Sequence, residues 1–423
     1  MITWEKVSIS DVADEVTVGH VGPMASEYVD KGIPFLRSLN IEPFNIKCDG
    51  IKFIAPTFHK RLQKSSLRPG DVVIVRTGKP GTCAVIPDWL LEANCSDVVI
   101  VRCNERVRPR FLCYVVNSVA GHHISSHIVG AVQQHFNVGS ARTLEFLLPS
   151  IEGQDAILAI LGSLDDKIDL NRRMNETLEA MARALFRDWF VEFSPTRAKM
   201  AGEAPYLAPE LWELFPDRLD DEGRPEGWKT EPLDETATFL NGLALQKYPA
   251  TGDISLPAIK IAQLRSENTE TADPVSLDIP DDYIVEQNDL LFSWSGSLLC
   301  KFWNGQRGAL NQHLFKVTSK RFEPWFIYEW IQFYMPEFQA IAAAKATTMG
   351  HIQRRHLTES LVTIPPSNIM QAANKAIGSL VEQIQSYNGQ SHTLVQLRDL
   401  LLPKLMSGEI SIRDAEKMVD NAT

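Results

Sequence analysis

Side chains that can bind DNA bases and phosphates are concentrated in two segments of the first third of the chain. One is the glycine-rich loop Arg76–Thr82, where Arg and Lys can bind phosphate oxygens. The other is a polar run whose Gln and Asn side chains match the adenine edge, while its His can reach a base or a phosphate. The predicted DNA-binding residues here are Arg76, Thr77, Gly78, Lys79, Gln133, Gln134, His135 and Asn137. The alternatives are an ordinary hairpin loop and an ordinary polar surface loop.

The glycine-rich loop does not have the pattern of a nucleotide-binding loop. The spacing GxxxxGK followed by Ser or Thr is absent, and Pro80 removes a backbone donor. The sequence therefore favours a loop that contacts a DNA phosphate over one that binds a nucleotide.

The second half of the chain contains a second set of the same residue types. The segments Asn288–Gly296 and Met349–His356 repeat Gly70–Gly78 and the run around His135 in order and approximate spacing. His351 then matches His135. The predicted DNA-binding residues of this set are Ser295, Gly296, Asn311, Gln312, His351, Gln353, Arg354 and Arg355.

No pattern in the sequence predicts catalysis or a bound metal. The methyltransferase pattern is absent, because Ile364-Pro365-Pro366-Ser367 lacks both its polar and its aromatic residue. The sequence also lacks GxGxxG, zinc-ligand spacing and a nuclease-like carboxylate cluster. The six cysteines form no CxxC pair and predict reduced, mostly buried thiols. We therefore expect a non-catalytic protein without a cofactor or metal of its own.

Two long helices are expected to position the DNA-binding segments. Mostly apolar residues recur at spacings that alternate between four and three, as in a coiled-coil seam. They are Ile157, Leu161, Leu164, Ile168, Asn171, Asn175, Leu178, Ala182, Leu185 and Trp189. A shift of 216 residues takes Pro149 to Pro365 and Gly162-Ser163-Leu164 to Gly378-Ser379-Leu380. This gapless match predicts an internal repeat and a partner helix within the chain. The alternative is two unrelated amphipathic helices.

The repeat divides the chain into two globules that alternate with two helices. The predicted boundaries are 1–148 for the first domain, 149–194 for the first helix, 195–227 for a linker, 228–364 for the second domain, 365–406 for the second helix and 407–423 for a tail. One residue of the second seam, Arg398, is out of character.

Composition limits the partners and the compartment. The net charge of −11 argues against nonspecific nucleic-acid binding. An acidic chain still binds DNA where its basic groups are placed locally or where a partner supplies more of them. The absence of a long apolar run and of a signal-peptide pattern predicts a cytoplasmic protein without membrane contact.

From Leu148 to Phe190 the chain resembles the central conserved region of DNA-specificity subunits of type I restriction-modification systems. The resemblance covers nearly the full length and includes the linker that ends in Pro225-Glu226-Gly227-Trp228. The second helix departs from the pattern, because Tyr387 and Ser391 replace the asparagines.

The resemblance implies an α+β fold with two globular mixed α/β target-recognition domains, joined by two long antiparallel coiled-coil helices in an internal pseudo-two-fold repeat. Each domain would read half of a bipartite site in double-stranded DNA, and the helices would set the spacing. The helices would also dock methyltransferase subunits, expected to be two, which bring S-adenosylmethionine. A restriction/translocase subunit would bring ATP and Mg²⁺. The implied partner-binding residues are Asn171, Arg172, Asn175, Arg183, Phe186, Trp189 and Phe190.

Two other functions remain open. The chain could be a coiled-coil adaptor whose globules bind protein, which predicts exposed apolar patches in place of the Gln, Asn, His and Arg loops. It could also be a specificity module for a methyltransferase without a restriction subunit. The genes beside it would distinguish that case, and its sequence would not.

Overall fold

A computed structural model describes residues 4–126, 136–252, 254–344 and 350–420. The chain forms two compact units, Met1–Lys167 with Thr393–Thr423, and Ile168–His392. The first domain (residues 4–148) lies in the first unit, and the second domain (residues 228–364) lies in the second.

The first domain is built mainly of short strands, many of them rich in β-branched residues. They are β1 (Glu5–Ser8), β2 (Ala13–Val18), β3 (Tyr28–Val29), β4 (Ile33–Leu36), β5 (Ile41–Glu42), β6 (Asn45–Ile46), β7 (Lys52–Ile54), β8 (Ser66–Leu67), β9 (Val72–Val75), β10 (Cys83–Val85), β11 (Ala93–Cys95), β12 (Val98–Cys103) and β13 (Glu145–Leu148). The α-helices among them are α1 (Pro56–Arg61), α2 (Pro109–Ser126) and α3 (Val138–Arg142). All four residues of β9 are buried.

The second unit contains the remaining strands. They are β14 (Lys229–Pro232), β15 (Thr238–Asn241), β16 (Leu256–Ile259), β17 (Pro274–Val275), β18 (Ile284–Val285), β19 (Leu290–Ser293), β20 (Cys300–Phe302), β21 (Gly308–Leu310), β22 (Leu314–Thr318) and β23 (Leu361–Ile364).

The remaining α-helices follow the first domain along the chain. They are α4 (Ile151–Phe186), α5 (Ser194–Met200), α6 (Pro209–Trp212), α7 (Leu233–Thr236), α8 (Ile261–Ser266), α9 (Pro324–Ala344), α10 (Arg354–Glu359), α11 (Ser367–Ala373), α12 (Ser379–Ser407) and α13 (Ile412–Asp420). A π-helical turn continues α4 at Arg187–Val191, and another joins α11 to α12 at Asn374–Gly378. Short 3-10 turns occur at Ile9–Asp11, Ser38–Asn40, Gln63–Ser65, Leu245–Lys247 and Asp281–Tyr283.

The two domains share most of their sheet topology, although the first has the additional strand β3 and the additional pair β5-β6. One sheet of the first domain has the strand order β10-β9-β12-β2, and its counterpart in the second has β20-β19-β22-β15. In the other sheet β4 runs parallel to β11, and β16 runs parallel to β21. The first strand of each domain pairs with its last, β1 with β13 and β14 with β23. The internal repeat predicted from the sequence is therefore present in the fold.

The long helices α4 and α12 pack together along the predicted seam. In the second unit Asn171 contacts Ser391, and Asn175 contacts Asn388. The residue numbers rise along one helix as they fall along the other, so the pair is antiparallel. Leu161, Leu164 and Leu401 are buried along this seam. These features give the α+β architecture expected from the sequence, in which two mixed domains are combined with long paired helices.

Among the described residues, none of the helices combines the length and the apolar character that crossing a bilayer would require. Within the same residues, no group of three or more His, Cys, Asp or Glu side chains is arranged to hold a metal ion.

Candidate nucleic-acid interface

The glycine-rich loop of the first domain is a hairpin loop between β9 and β10. Its base is closed by hydrogen bonds from the Val75 amide to the Thr82 carbonyl (2.8 Å) and from the Gly81 amide to the Val75 carbonyl (3.0 Å). Gly78 and Gly81 both have a φ of +86°, which favours glycine. The hairpin explains why the loop is glycine-rich, and it presents Gly78 and Lys79 to solvent.

Two cations of this loop are available for a ligand. Arg76 and Thr77 are half-buried, and Lys79 is exposed. Within the described part of the chain, Arg76 and Lys79 form no ion pair, and the buried Nε of Arg76 has no hydrogen-bond partner. An arginine and a lysine with unneutralised charges can bind phosphate oxygens.

The described part of the polar run of the first domain begins at Phe136 and lies beside this loop. Gln133, Gln134 and His135 lie outside the described residues. The Phe136 amide donates to the Arg76 carbonyl (3.1 Å). The exposed Asn137 caps α3, because its Oδ1 accepts a hydrogen bond from the Ser140 amide (3.0 Å). Asn137 therefore has a structural role whether or not it also contacts a base.

The second domain brings Ser295, Gly296 and His351 together at the matching place. Gly296, with a φ of +65°, donates its amide hydrogen to the Gly350 carbonyl (2.8 Å). Ser295 and His351 form an antiparallel bridge, and Ile352 donates to the Trp294 carbonyl (3.0 Å).

Asn311 and Gln312 precede β22 in the same region. The Asn311 amide donates to the Ile259 carbonyl (3.2 Å), and the Gln312 amide donates to the Leu243 carbonyl (2.8 Å). Asn311 is buried, and its Oδ1 accepts from the His313 amide (3.3 Å), whereas Gln312 is half-exposed. Gln312 is therefore better placed than Asn311 to reach a ligand.

Gln353, Arg354 and Arg355 are exposed at the start of α10. Gln353 occupies the N-cap position, where its main-chain N–H donates to Nδ1 of His356 (3.0 Å). Arg354 donates to the Phe239 carbonyl (3.2 Å). Neither arginine forms an ion pair with a carboxylate of the described residues, so both retain charge for an anionic ligand.

Two functional candidates were not predicted from the sequence, namely Trp294 and His313. Nδ1 of His313 lies 3.0 Å from Oγ of Ser295. The Trp294 and His313 rings lie 5.8 Å apart, and the indole Nε1 donates to Oδ1 of Asn241 (2.8 Å). The available signal was the repeat, which aligns Trp294 with Arg76.

Main-chain hydrogen bonds give this alignment independently of side chains. The Arg76 amide donates to the Asp97 carbonyl (3.3 Å), and the Trp294 amide donates to the His313 carbonyl (3.4 Å). With the bonds from Phe136 and Ile352 described above, Arg76 corresponds to Trp294 and Asp97 to His313. The residues that precede Phe136 and Ile352, His135 and His351, also correspond.

Four arginines between the middle of β12 and the start of α2 are neutralised within the chain. Arg102 pairs with Glu15, and Arg106 pairs with Glu5 at 2.8 Å. Arg108 pairs with Asp155 and Arg110 with Asp166, both at 2.8 Å. These ion pairs connect residues 102–110 to β1, β2 and α4, so the charges of the four arginines are used within the chain.

Five of the seven predicted partner-binding residues are buried within the chain, which corrects that prediction. Phe186, Trp189 and Phe190 are at most 1% exposed and belong to the core of the second unit. Asn171 and Asn175 lie in the helix seam. The sequence did not reveal this, because an aromatic run at a helix end suits a domain core as well as a docking face. Arg172 and Arg183 are exposed and remain predicted partner contacts.

Comparison with known proteins agrees with this geometry. Residues 1–180 match the family described as the type I restriction modification DNA specificity domain. The specificity subunit of the type I restriction enzyme MjaIX from Methanocaldococcus jannaschii is 25% identical over 289 residues, which cover 64% of this chain and 62% of that protein. The HindI specificity subunit from Haemophilus influenzae is 25% identical over 322 residues, covering 64% and 70%.

The match to the MjaIX subunit thus spans less than two thirds of that protein's length. A crystal structure of the S subunit of a type I restriction-modification system from M. genitalium has a TM-score of 0.53 at 13% identity, and the alignment covers 96% of each chain. At this identity the likeness concerns the fold alone.

Proposed function

We propose that this chain is the sequence-specific DNA-recognition component of a type I restriction-modification assembly. Each domain reads one half of a bipartite site in double-stranded DNA. The observation that carries the proposal is that both domains hold loops at the same main-chain positions and differ in the side chains there. Arg76 and Asp97 of the first domain correspond to Trp294 and His313 of the second. One scaffold with two sets of loop side chains suits two different half-sites.

Within each domain the contacts divide into two kinds. Arg76, Lys79, Arg354 and Arg355 bind phosphates and fix the position of a domain on the duplex, because contacts to phosphates carry no sequence information. The amides and imidazoles of the loops bind base edges, which differ from one base pair to the next in the major groove.

The paired helices set the spacing between the half-sites and dock the methyltransferase subunits, two in number. The support for docking on α4 is its exposed stripe of Leu170, Met174 and Met181, flanked by the exposed Arg172 and Arg183. Exposed apolar side chains rimmed by polar ones are typical of interaction surfaces. In this assembly the partners supply S-adenosylmethionine, ATP and Mg²⁺, and this chain determines which DNA sequence is bound.

An exchange of domains tests the proposal. Residues 1–148 are replaced by the first domain of another family member, and the methylated motifs of the host are mapped before and after. The expected result is a new sequence in one half-site, with the other half-site and the gap unchanged. The reciprocal exchange of residues 228–364 should change only the other half-site. Deletion of the chain is the control and should remove the motif. A change in both half-sites from one exchange would reject the two-reader arrangement.

A further inference from the structure

Gln312 is an extra residue in the second domain, relative to the frame that both domains share. Ser96 donates its amide hydrogen to the Leu36 carbonyl (3.0 Å), as Asn311 does to Ile259 (3.2 Å). Ser96 also bridges His20, as Asn311 bridges Leu243. Asp97 follows Ser96 directly, whereas His313 follows Asn311 only after Gln312. The first domain completes the same fold without an equivalent residue, so the scaffold does not require Gln312.

The side chain of Gln312 is supported from one side by a chain of polar contacts. Its Nε2 lies 3.4 Å from Nε2 of His313. The other nitrogen of that imidazole, Nδ1, lies 3.0 Å from Oγ of Ser295, which is 3% exposed. The Trp294 ring packs beside the His313 ring. Its indole donates a hydrogen bond to Asn241, and its ring centroid lies 6.1 Å from that of Phe315. The imidazole is thus held at both its nitrogens and beside one of its faces.

This arrangement leaves one edge of the amide available. In the tautomer of His313 whose Nδ1–H donates a hydrogen bond to Oγ of Ser295, the lone pair of Nε2 accepts a hydrogen bond from one N–H of Gln312. The carboxamide retains its oxygen and its second N–H, an acceptor beside a donor. Adenine presents the complementary pair in the major groove, with N6–H as donor and N7 as acceptor. Gln312 is half-exposed, so this edge can face a ligand.

We propose that Gln312 reads an adenine in the half-site of the second domain, with His313 as the residue that positions its amide. The inference rests on the proposed function, since it needs this domain on a duplex. His313 acts through Gln312, because its two ring nitrogens are used within the chain. Ser295 and Trp294 fix the ring, and the first domain has Thr77 and Arg76 at their positions, without the extra glutamine.

The test uses the full chain with the modification subunits of its host, and the readout is the methylated motif. Gln312→Ala should relax one position of one half-site from adenine to several bases. One bidentate base contact contributes discrimination of about 10- to 100-fold, and a loss of that order is expected at this position. Gln63→Ala, an exposed glutamine of the first domain, is the matched control and should leave the motif unchanged.

A double variant separates positioning from general support of the fold. His313→Ala should relax the same position, and Gln312→Ala with His313→Ala should relax it no further, because the histidine acts through the glutamine. A merely structural histidine would instead lower the melting temperature and weaken every position alike. Additive losses, or losses at other positions, would overturn the positioning role.

The two proposals fail in different ways. If no bipartite motif depends on the wild-type chain, the proposed function fails. If the motif depends on the chain and Gln312→Ala leaves it intact, the adenine contact fails. Should Gln312→Ala abolish methylation, the purified assembly is incubated with duplexes randomised in the half-site that responds to exchange of residues 228–364. Retained selection for adenine at every position where the wild-type assembly selects it would then overturn the inference, and its loss at one position would support it.

Discussion

The first and second domains share main-chain hydrogen bonds at their loops and differ in the side chains that these loops present. At the turn after β9 the first domain has Arg76, and at the turn after β19 the second has Trp294. The Arg76 carbonyl accepts from the Phe136 amide, as the Trp294 carbonyl accepts from the Ile352 amide. Where the first domain has Asp97, the second has His313 and the additional Gln312. The difference shows that the same main-chain hydrogen bonds hold loops whose side chains differ.

The same comparison extends to the helices that follow each domain. Asn171 and Asn175 of α4 correspond to Tyr387 and Ser391 of α12 after the shift of 216 residues. Arg398 of α12 corresponds to Ala182 of α4, and Tyr114 of α2 matches Glu329 of α9, each being the sixth residue of its helix. The repeat therefore contains polar groups that one copy has and the other lacks, and each of them can be tested by substitution.

The largest effect is expected from an insertion of four helical residues between Asn171 and Asn175. Asn171 donates to Oγ of Ser391 (3.3 Å), and Asn175 donates to Oδ1 of Asn388 (2.7 Å). The insertion adds about 6 Å of helix and separates these partners, so we expect at least about 3 kcal/mol lower stability and an inactive protein. Thermal unfolding and motif mapping measure both effects.

The same four residues inserted after Gly202, in an exposed stretch, serve as the control and should change neither property. A stable, active protein with a longer gap would contradict this expectation and would show that the seam can slide past its asparagines.

The next effect concerns Arg398, whose counterpart in the first repeat is the uncharged Ala182. Its Nη1 lies 3.0 Å from Oδ1 of Asp165, and its guanidinium stands 4.6 Å from the centroid of the Phe44 ring. Both partners of the ion pair are 13% exposed, and Asp165 also accepts from the Tyr114 hydroxyl. Because Arg398→Met leaves Asp165 without its cation, we expect a loss of about 2 to 4 kcal/mol in denaturant unfolding.

Arg173→Met is the matched control, since Arg173 is 64% exposed in its pair with Asp169. It should change stability by less than about 0.5 kcal/mol. Equal losses in the two variants would mean that the Arg398 pair is no stronger than an ordinary surface contact.

A smaller effect, with an opposite sign, is expected at Glu329, which is 4% exposed where the first domain has Tyr114. Burial raises the pKa of the Glu329 carboxyl from its ordinary 4.5 to about 7, while Arg183 opposes the shift and Glu179 adds to it. Between about pH 4.5 and 7 the folded state binds more protons than the unfolded state, so stability falls as pH rises through this window.

Glu329→Gln should therefore raise the free energy of unfolding at pH 8 by on the order of 2 kcal/mol and change it little near pH 4. Denaturant titrations at the two pH values measure this difference. Glu337→Gln, at an exposed position of α9, should show no such dependence. A gain of the same size at both pH values would assign the effect to packing rather than to ionisation.

The smallest effect compares the two loops on DNA. Arg76→Ala with Lys79→Ala removes the two proposed phosphate contacts, so the slope of log affinity against log salt should become shallower by roughly 2. Trp294→Ala in the second domain should weaken binding and leave the slope unchanged, because the indole carries no charge. Duplex binding by the complete assembly over a range of salt concentrations measures both. An unchanged slope in the first variant would reassign its loop to structure.

The sequence predicted the features that repeat locally along the chain. The heptad from Ile157 to Trp189 and the match of Pro149 to Pro365 located both long helices. Features that depend on residues far apart were not predicted. Arg398 was out of character in its seam because its partner, Asp165, lies on the other helix. His313 gained significance only when folding placed it beside Ser295 and Gln312.

The main-chain hydrogen bonds at Arg76 and Trp294 have an evolutionary consequence. A point mutation at either codon changes the chemistry that the loop displays and leaves in place the amide and carbonyl that hold it. Under the proposed function, the recognised half-site can accordingly change by single substitutions while the loop stays folded.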